Sequence, residues 1–149
     1  MKSIILRIFS ILTLSLFAFS SQASEIQVND PWLRAAPPSA PALAAFMQLK
    51  NTSDKAIALI ALKGDASLGK LELHRTTMEN GMMKMTPQES IPVAAHSSTI
   101  LKPGSWHIML IKPDSVPKKG EQIQLTLVFD NGNEQLITLP VERRKTKMH

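Results

Sequence analysis

Gln122-Ile123-Gln124-Leu125-Thr126-Leu127-Val128-Phe129 is followed by Asp130-Asn131-Gly132 and then by a returning run, Leu136 to Val141. Ile123, Leu125, Leu127 and Phe129 alternate with Gln122, Gln124, Thr126 and Val128. A period of two sends successive side chains to opposite faces of an extended chain, so the octet predicts a half-buried strand. Asn131-Gly132 predicts a two-residue hairpin turn, because both residue types accept the positive φ such a turn needs. The same patterning extends outward. Ala42 to Leu49 and Ala56 to Leu62 are apolar runs joined by the turn-rich Asn51-Thr52-Ser53-Asp54. Leu71 and Leu73 alternate with Glu72 and His74, and Trp106 to Ile111 forms a further strand. No segment carries a sustained helical stripe, no internal repeat is visible, and ten prolines punctuate the runs. Pro37-Pro38-Ser39-Ala40-Pro41 is too short for a domain linker and predicts an ordered surface loop. The expected fold class is all-β: one antiparallel sandwich with Greek-key connections.

The N-terminus reads as an address. Lys2 and Arg7 precede a largely apolar run, Ile8 to Phe19, and Ser21-Gln22-Ala23 supplies the small residues of a cleavage site. The run is too short to cross a bilayer comfortably, so an anchor is the weaker reading. No cysteine follows it, so lipid attachment at that point is not expected. Residues 1–23 are therefore expected to be a signal peptide, residues 24–142 one domain and residues 143–149 a basic tail. A bacterial periplasm is the expected destination, with no membrane span after cleavage and a monomeric state.

The formal charge of +5 belongs to the ends of the chain. Residues 24–142 hold eleven basic and twelve acidic side chains, a net of −1. A nucleic-acid binder carries a basic patch in its folded body, and this body has no basic excess. The basic tail reads either as a solvated end or as a handle for an acidic partner or lipid surface. The chain has no cysteine. That removes thiol oxidoreductases, disulfide scaffolds and cysteine-ligated blue-copper carriers. It leaves methionine sulfoxidation as the chemical weak point.

Soft ligation must then come from methionine, and four residues fall on a ligand-like spacing. His74 is followed after ten residues by Met85, after twenty-one more by His107, and one residue later by Met109. Two imidazoles and two thioethers suit monovalent copper better than zinc or magnesium. Four neutral donors leave a single charge on Cu(I) and two on Cu(II), and thioethers do not titrate, which leaves affinity mildly pH-dependent. On a strand, His107 and Met109 project from one face, about 6–7 Å apart at the backbone, while Ile108 and Leu110 face the core. Either histidine alone would read as a structural residue; the pair weakens that reading. Met78, Met82, Met83 and Met85 cluster around an Asn80-Gly81 turn signal. They read equally well as irregular core filling or as a surface cluster. His96 lies off the spacing and reads as a loop residue.

The H-x10-M-x21-H-x-M pattern, in an exported cysteine-free β domain, resembles the periplasmic PCu(A)C copper chaperone family. Asp30-Pro31-Trp32-Leu33-Arg34-Ala35, Leu71-Glu72-Leu73-His74, Met78-Glu79-Asn80-Gly81 and Leu101-Lys102-Pro103-Gly104 resemble segments of the same family. The likeness runs from about Ile26 to Val141. It implies a cupredoxin-like β-barrel or sandwich that binds one Cu(I) through His74, Met85, His107 and Met109. It also implies delivery of copper towards cytochrome c oxidase, with the copper-bearing oxidase subunit, a Sco-type thiol protein, or both as partners. The role is transfer, so no enzymatic activity is expected. Two departures stand out. Arg75 and Thr76 follow His74 where many members carry an acidic residue and then methionine, and an added positive charge should weaken binding slightly unless alternation turns it away. The tail ends Met148-His149, a frayed end or a supplementary Cu(II) handle. Copper sequestration at the same site is the alternative to delivery. A monooxygenase-type copper enzyme would begin with histidine, which the expected start at Ser24 does not supply. A metal-free interaction domain remains open on fold alone.

Overall fold

The computed structural model describes residues 24–144. The expected signal segment, residues 1–23, and residues 145–149, with Met148 and His149, lie outside the described residues. The chain forms β1 (Ile26–Arg34), β2 (Ala42–Asn51), β3 (Ile57–Gly64), β4 (Lys70–Glu79) and β5 (Met82–Gln88). It continues with β6 (Ile91–Val93), β7 (Ser98–Leu101), β8 (Trp106–Ile111), β9 (Gln122–Phe129) and β10 (Glu134–Glu142). One 3-10 turn, Ala66–Leu68, precedes β4. Among the described residues no helix is long and apolar enough to cross a membrane.

The strand order is β5-β4-β8-β7-β2-β1-β10-β9-β3-β6. It makes two layers, a first sheet from β5 to β1 and a second from β10 to β6, joined where β1 meets β10. The chain leaves the first sheet after β2, returns for β4, and leaves again for β6, so the Greek-key crossovers are present. Leu33, Leu49, Ile108 and Leu110 from one layer and Leu59, Ile91, Leu125 and Leu127 from the other share one buried core. In β9 the alternation holds throughout: Ile123, Leu125, Leu127 and Phe129 are buried and their neighbours are not. Fully burying such side chains contributes about 1.5–3 kcal/mol each, which pins the register.

Two expectations change and one turn signal holds. The sandwich is not wholly antiparallel. β1 runs parallel to β10 at Leu33–Val141 and Arg34–Glu142, and β7 touches β8 in parallel at Leu101–Trp106. The first and last strands run the same way where they join the layers. β7 and β8 are successive segments laid antiparallel along β2, interrupted by the Lys102–Ser105 loop. Secondly, the β9–β10 loop has four residues, Asp130 to Asn133, and among them only Gly132 has positive φ, at 84°. Gly132 N–H donates to the Phe129 carbonyl and Phe129 N–H to the Asn133 carbonyl, the pattern of a turn closed by a glycine bulge. The turn signal in the methionine-rich segment holds, and the segment is a hairpin. Asn80 and Gly81 both have positive φ, 52° and 77°, so this Asn-Gly is the true two-residue turn and aligns Glu79 with Met82.

The Pro37–Pro41 segment is a loop between β1 and β2 that carries a turn hydrogen bond from Ala40 N–H to the Pro37 carbonyl. β1 itself accommodates Pro31 through a bulge between Asn29 and Trp32, with Asp30 at φ 49°.

Candidate metal centre

β8 lies between β4 on one side and β2 on the other, so hydrogen bonds hold it on both edges. Ile108 and Leu110 are fully buried in the core, and His107 and Met109 project from the opposite, outward face. The register of β4 completes the set: His74 lies opposite His107, and Glu72 opposite Met109. Leu73 and Leu71, opposite Ile108 and Leu110, take the inner face. Thr76 follows on the outer face and lies opposite Met85 of β5. Adjacent strands thus bring His74, Met85, His107 and Met109 to one outward face of the first sheet.

The two imidazoles are tilted against each other with ring centroids 5.7 Å apart. Their hydrogen bonds fix both tautomers. His74 Nε2 lies 2.7 Å from a Glu72 carboxylate oxygen, which can only accept, so Nε2 carries the proton and donates. His107 Nδ1 lies 3.0 Å from the Ser105 carbonyl oxygen, again an acceptor, so Nδ1 donates. A neutral ring with its proton placed this way presents a bare lone pair on its other nitrogen, His74 Nδ1 and His107 Nε2. Both atoms are buried and have no hydrogen-bond partner. Leaving a buried polar atom unpaired costs about 1–3 kcal/mol, and two on one sheet face mark a place kept for another ligand.

Burial acts on the His107 ring in the same sense: as the largest influence, it pushes the imidazole below its ordinary value. The Ser105 carbonyl works the other way, and the Arg34 charge adds to the downward push. Hydrogen bonds from Lys70 and then from His74 hold the Glu72 carboxyl below its ordinary range, so it stays an acceptor. A carboxylate behind an imidazole orients the ring and raises its basicity towards a metal.

A cleft of about 300 Å³ opens over this face, lined by Met85, Met109, His107, Met83, Thr76 and Arg34 among others. A larger cleft of about 600 Å³ on the second sheet is lined by Lys63, Gln122, Gln124, Thr126 and Thr138, with no histidine or methionine. No group of three or more His, Cys, Asp or Glu among the described residues could hold a metal ion. Any metal taken here must draw on thioethers, and the donor set on the page, two bare imidazole nitrogens beside thioethers, fits a soft monovalent cation.

The remaining sequence candidates also find their places. Met47 fills the core, whereas Met78, Met82, Met83 and Met85 are exposed. The cluster is therefore not core packing. Arg75 points to the other side of β4 and stacks its guanidinium over Trp106, 4.8 Å from the ring centroid, so its charge is turned from the cleft. His96 sits in the turn between β6 and β7 and bonds Asp54.

Sequence reasoning missed four residues. Glu72 orients His74. Thr76 leaves a third buried and unpartnered atom, its hydroxyl oxygen, beside the cleft. Phe46, from β2, lies 6.4 Å from the His107 ring, and Arg34 stacks over Phe46 at 5.2 Å. The alternation of Glu72 with Leu73 could have flagged the first two. Arg34 and Phe46 arrive through strand pairing, which has no local signal.

The family model described as "Putative lipoprotein LpqE-like" matches residues 26–141. The "Putative lipoprotein Lxx21020" of Leifsonia xyli subsp. xyli is 36% identical over 123 residues, covering 81% of this chain and 72% of that protein. Among solved structures, Cu(I)-DR1885 from Deinococcus radiodurans is 29% identical, covers 83% of each chain and superposes with a TM-score of 0.62. The copper-bound PCuAC domain from PmoF2 is 23% identical, covers 81% of this chain and 95% of its own, and shares the fold with a TM-score of 0.68. The cupredoxin-like β architecture is thus shared with these two solved structures, and this chain belongs to the LpqE-like family, of PCuAC type.

Proposed function

We propose that the protein is an exported Cu(I) carrier, which takes one ion on His74, Met85, His107 and Met109 and delivers it for assembly of cytochrome c oxidase copper centres. The observation that carries this reading is the pair of bare, buried ring nitrogens, His74 Nδ1 and His107 Nε2, on the face that also presents Met85 and Met109. The copper-loaded state of DR1885, similar over most of the chain, supports it. The donors are neutral, so a single positive charge is all the site must accommodate, and the Glu72 carboxylate behind His74 offsets part of it. Met85 is exposed on the outermost strand, which lets a partner's ligand approach the ion and exchange with it. The apolar run ahead of Ala23 supports export to the periplasm. Carriage by ligand exchange needs no catalytic group.

Competition with a chromophoric Cu(I) chelator under anaerobic conditions tests the site. One tight equivalent per chain is expected, weakened at least ~100-fold, about 2.7 kcal/mol, in His107→Ala. Unchanged affinity there removes the assignment. Delivery is tested by deleting the gene. Lost oxidase activity restored by added copper supports it, whereas copper sensitivity with an intact oxidase supports sequestration at the same site.

A further inference from the structure

The exposed methionines of the β4–β5 hairpin are divided between two faces, and the division is informative. The Asn80-Gly81 turn sets the register so that Met78 lies opposite Met83 and Glu79 opposite Met82. Directly opposed residues share a face, with Cβ atoms about 4.5–5.5 Å apart. Alternation then places Met78 with Thr76 and His74, and Met83 with Met85, on the outward face of the proposed copper site. Met82 falls on the other face, along with Glu79 and Lys84, which pair at 3.1 Å. Met83 lines the same cleft as Met85, Met109 and His107.

Packing does not account for this pair. Met78 is 65% and Met83 64% exposed, Met83 on the edge strand β5 and Met78 on the end of β4 that runs past its last pair with β8. Exposed apolar side chains on an edge strand invite association between chains, and natural edges ordinarily carry charge instead. Two flexible thioethers opposite one another are, however, a fitting pair of donors for a soft monovalent ion, and Glu79, the carboxylate nearest the turn, lies on the other face of the hairpin.

Resting on the Cu(I) reading above, we propose that Met78 and Met83 form a second, weaker Cu(I) site, a landing point at the open end of the cleft from which the ion passes to Met85. Passage is ligand exchange. One Cu–S bond forms for each that breaks, copper stays monovalent, and no proton moves because thioethers carry none. The row Met78, Met83, Met85, Met109 then leads from the hairpin tip to the imidazoles, and Met82, equally exposed but on the wrong face, takes no part.

The full chain labelled with ¹³C at the methionine methyl groups, titrated anaerobically with Cu(I), separates these claims. The first equivalent is expected to shift the Met85 and Met109 methyl signals, and further Cu(I) to shift Met78 and Met83 while Met82 stays in place. In the double variant Met78→Leu and Met83→Leu, both at exposed positions, the second response should be lost and the first retained. The inference is overturned if Met85 and Met109 respond but added copper leaves Met78 and Met83 unmoved, or moves Met82 alongside them. A first equivalent that leaves Met85 and Met109 unmoved overturns the functional reading, and the landing point with it.

Discussion

The two sides of β8 have been given opposite tasks by the same six residues. Inward, Ile108 and Leu110 are wholly buried in the core shared with the second sheet, among apolar side chains. Outward, His107 and Met109 face a cleft in which ring nitrogens and a hydroxyl lack partners. The inner side is complete as it stands. The outer side is rigid but chemically unfinished, and that contrast, more than cleft size, separates the proposed site from the larger polar cleft of the second sheet.

The contrast makes two substitutions, one on each side, that should not resemble each other. Leu110→Ala is expected to cost the metal-free protein about 2–5 kcal/mol in chemical denaturation, the usual range for emptying a core position. The protein that remains folded should still take one Cu(I). Met109→Leu conserves volume and should change stability by less than about 1.5 kcal/mol. It should nevertheless weaken Cu(I) by ~100-fold in chelator competition. If the two variants lose stability and copper in parallel, the division of the strand is wrong.

A smaller effect is expected one residue further out. Glu72→Gln keeps an oxygen for the His74 proton but removes the charge, so Cu(I) affinity should fall ~10-fold, the lower end for such a supporting residue. His74 ring nitrogen shifts in NMR would show whether the tautomer is kept. Arg34→Gln acts in the other direction. Its guanidinium faces the cleft and stacks on Phe46, so its removal should tighten Cu(I) by about threefold, and more for a doubly charged ion.

Asp30→Asn lies off both faces and gives the smallest change. Arg144 donates two hydrogen bonds to Asp30, at 2.6 and 2.9 Å, and holds its carboxyl below the ordinary 3.8. A depressed carboxyl contributes stability above its unfolded value and loses it as the pH falls through the folded one. The variant should therefore be weaker by about 0–1 kcal/mol at neutral pH, and the difference should vanish in acid below 3.8. Asparagine tolerates the positive φ at this position, so no backbone strain is added. Thermal melts across pH, read without copper, follow it.

The strands that bury one face were legible in the sequence, because alternation is a local signal. Gln122 to Phe129 and Trp106 to Ile111 coincide with β9 and β8. The short β6 and β7 and the proline-bearing β1 were not, since three or four residues hold no period and Pro31 sits at a bulge. Spacing alone gave the candidate donors, and alternation gave the shared face of His107 and Met109. What spacing could not give is the identity of the free nitrogen on each ring. That depends on Glu72 and on the Ser105 carbonyl, which also accepts from Thr76 N–H at 3.1 Å. One further misreading is instructive: of two Asn-Gly pairs, only Asn80-Gly81 uses both residues at positive φ, because only there does the register leave two residues between paired positions, Glu79 and Met82.

β4 and β8, which carry His74, His107 and Met109, are each hydrogen-bonded on both sides, while β5 with Met85 is bonded on one. Local opening frees an edge strand long before an interior one. The lifetime of a bound ion would then be governed by the fraying of β5, with the two imidazoles as the fixed jaw. Residence time in such a design could be retuned by mutations in the β4–β5 turn that never touch a donor atom.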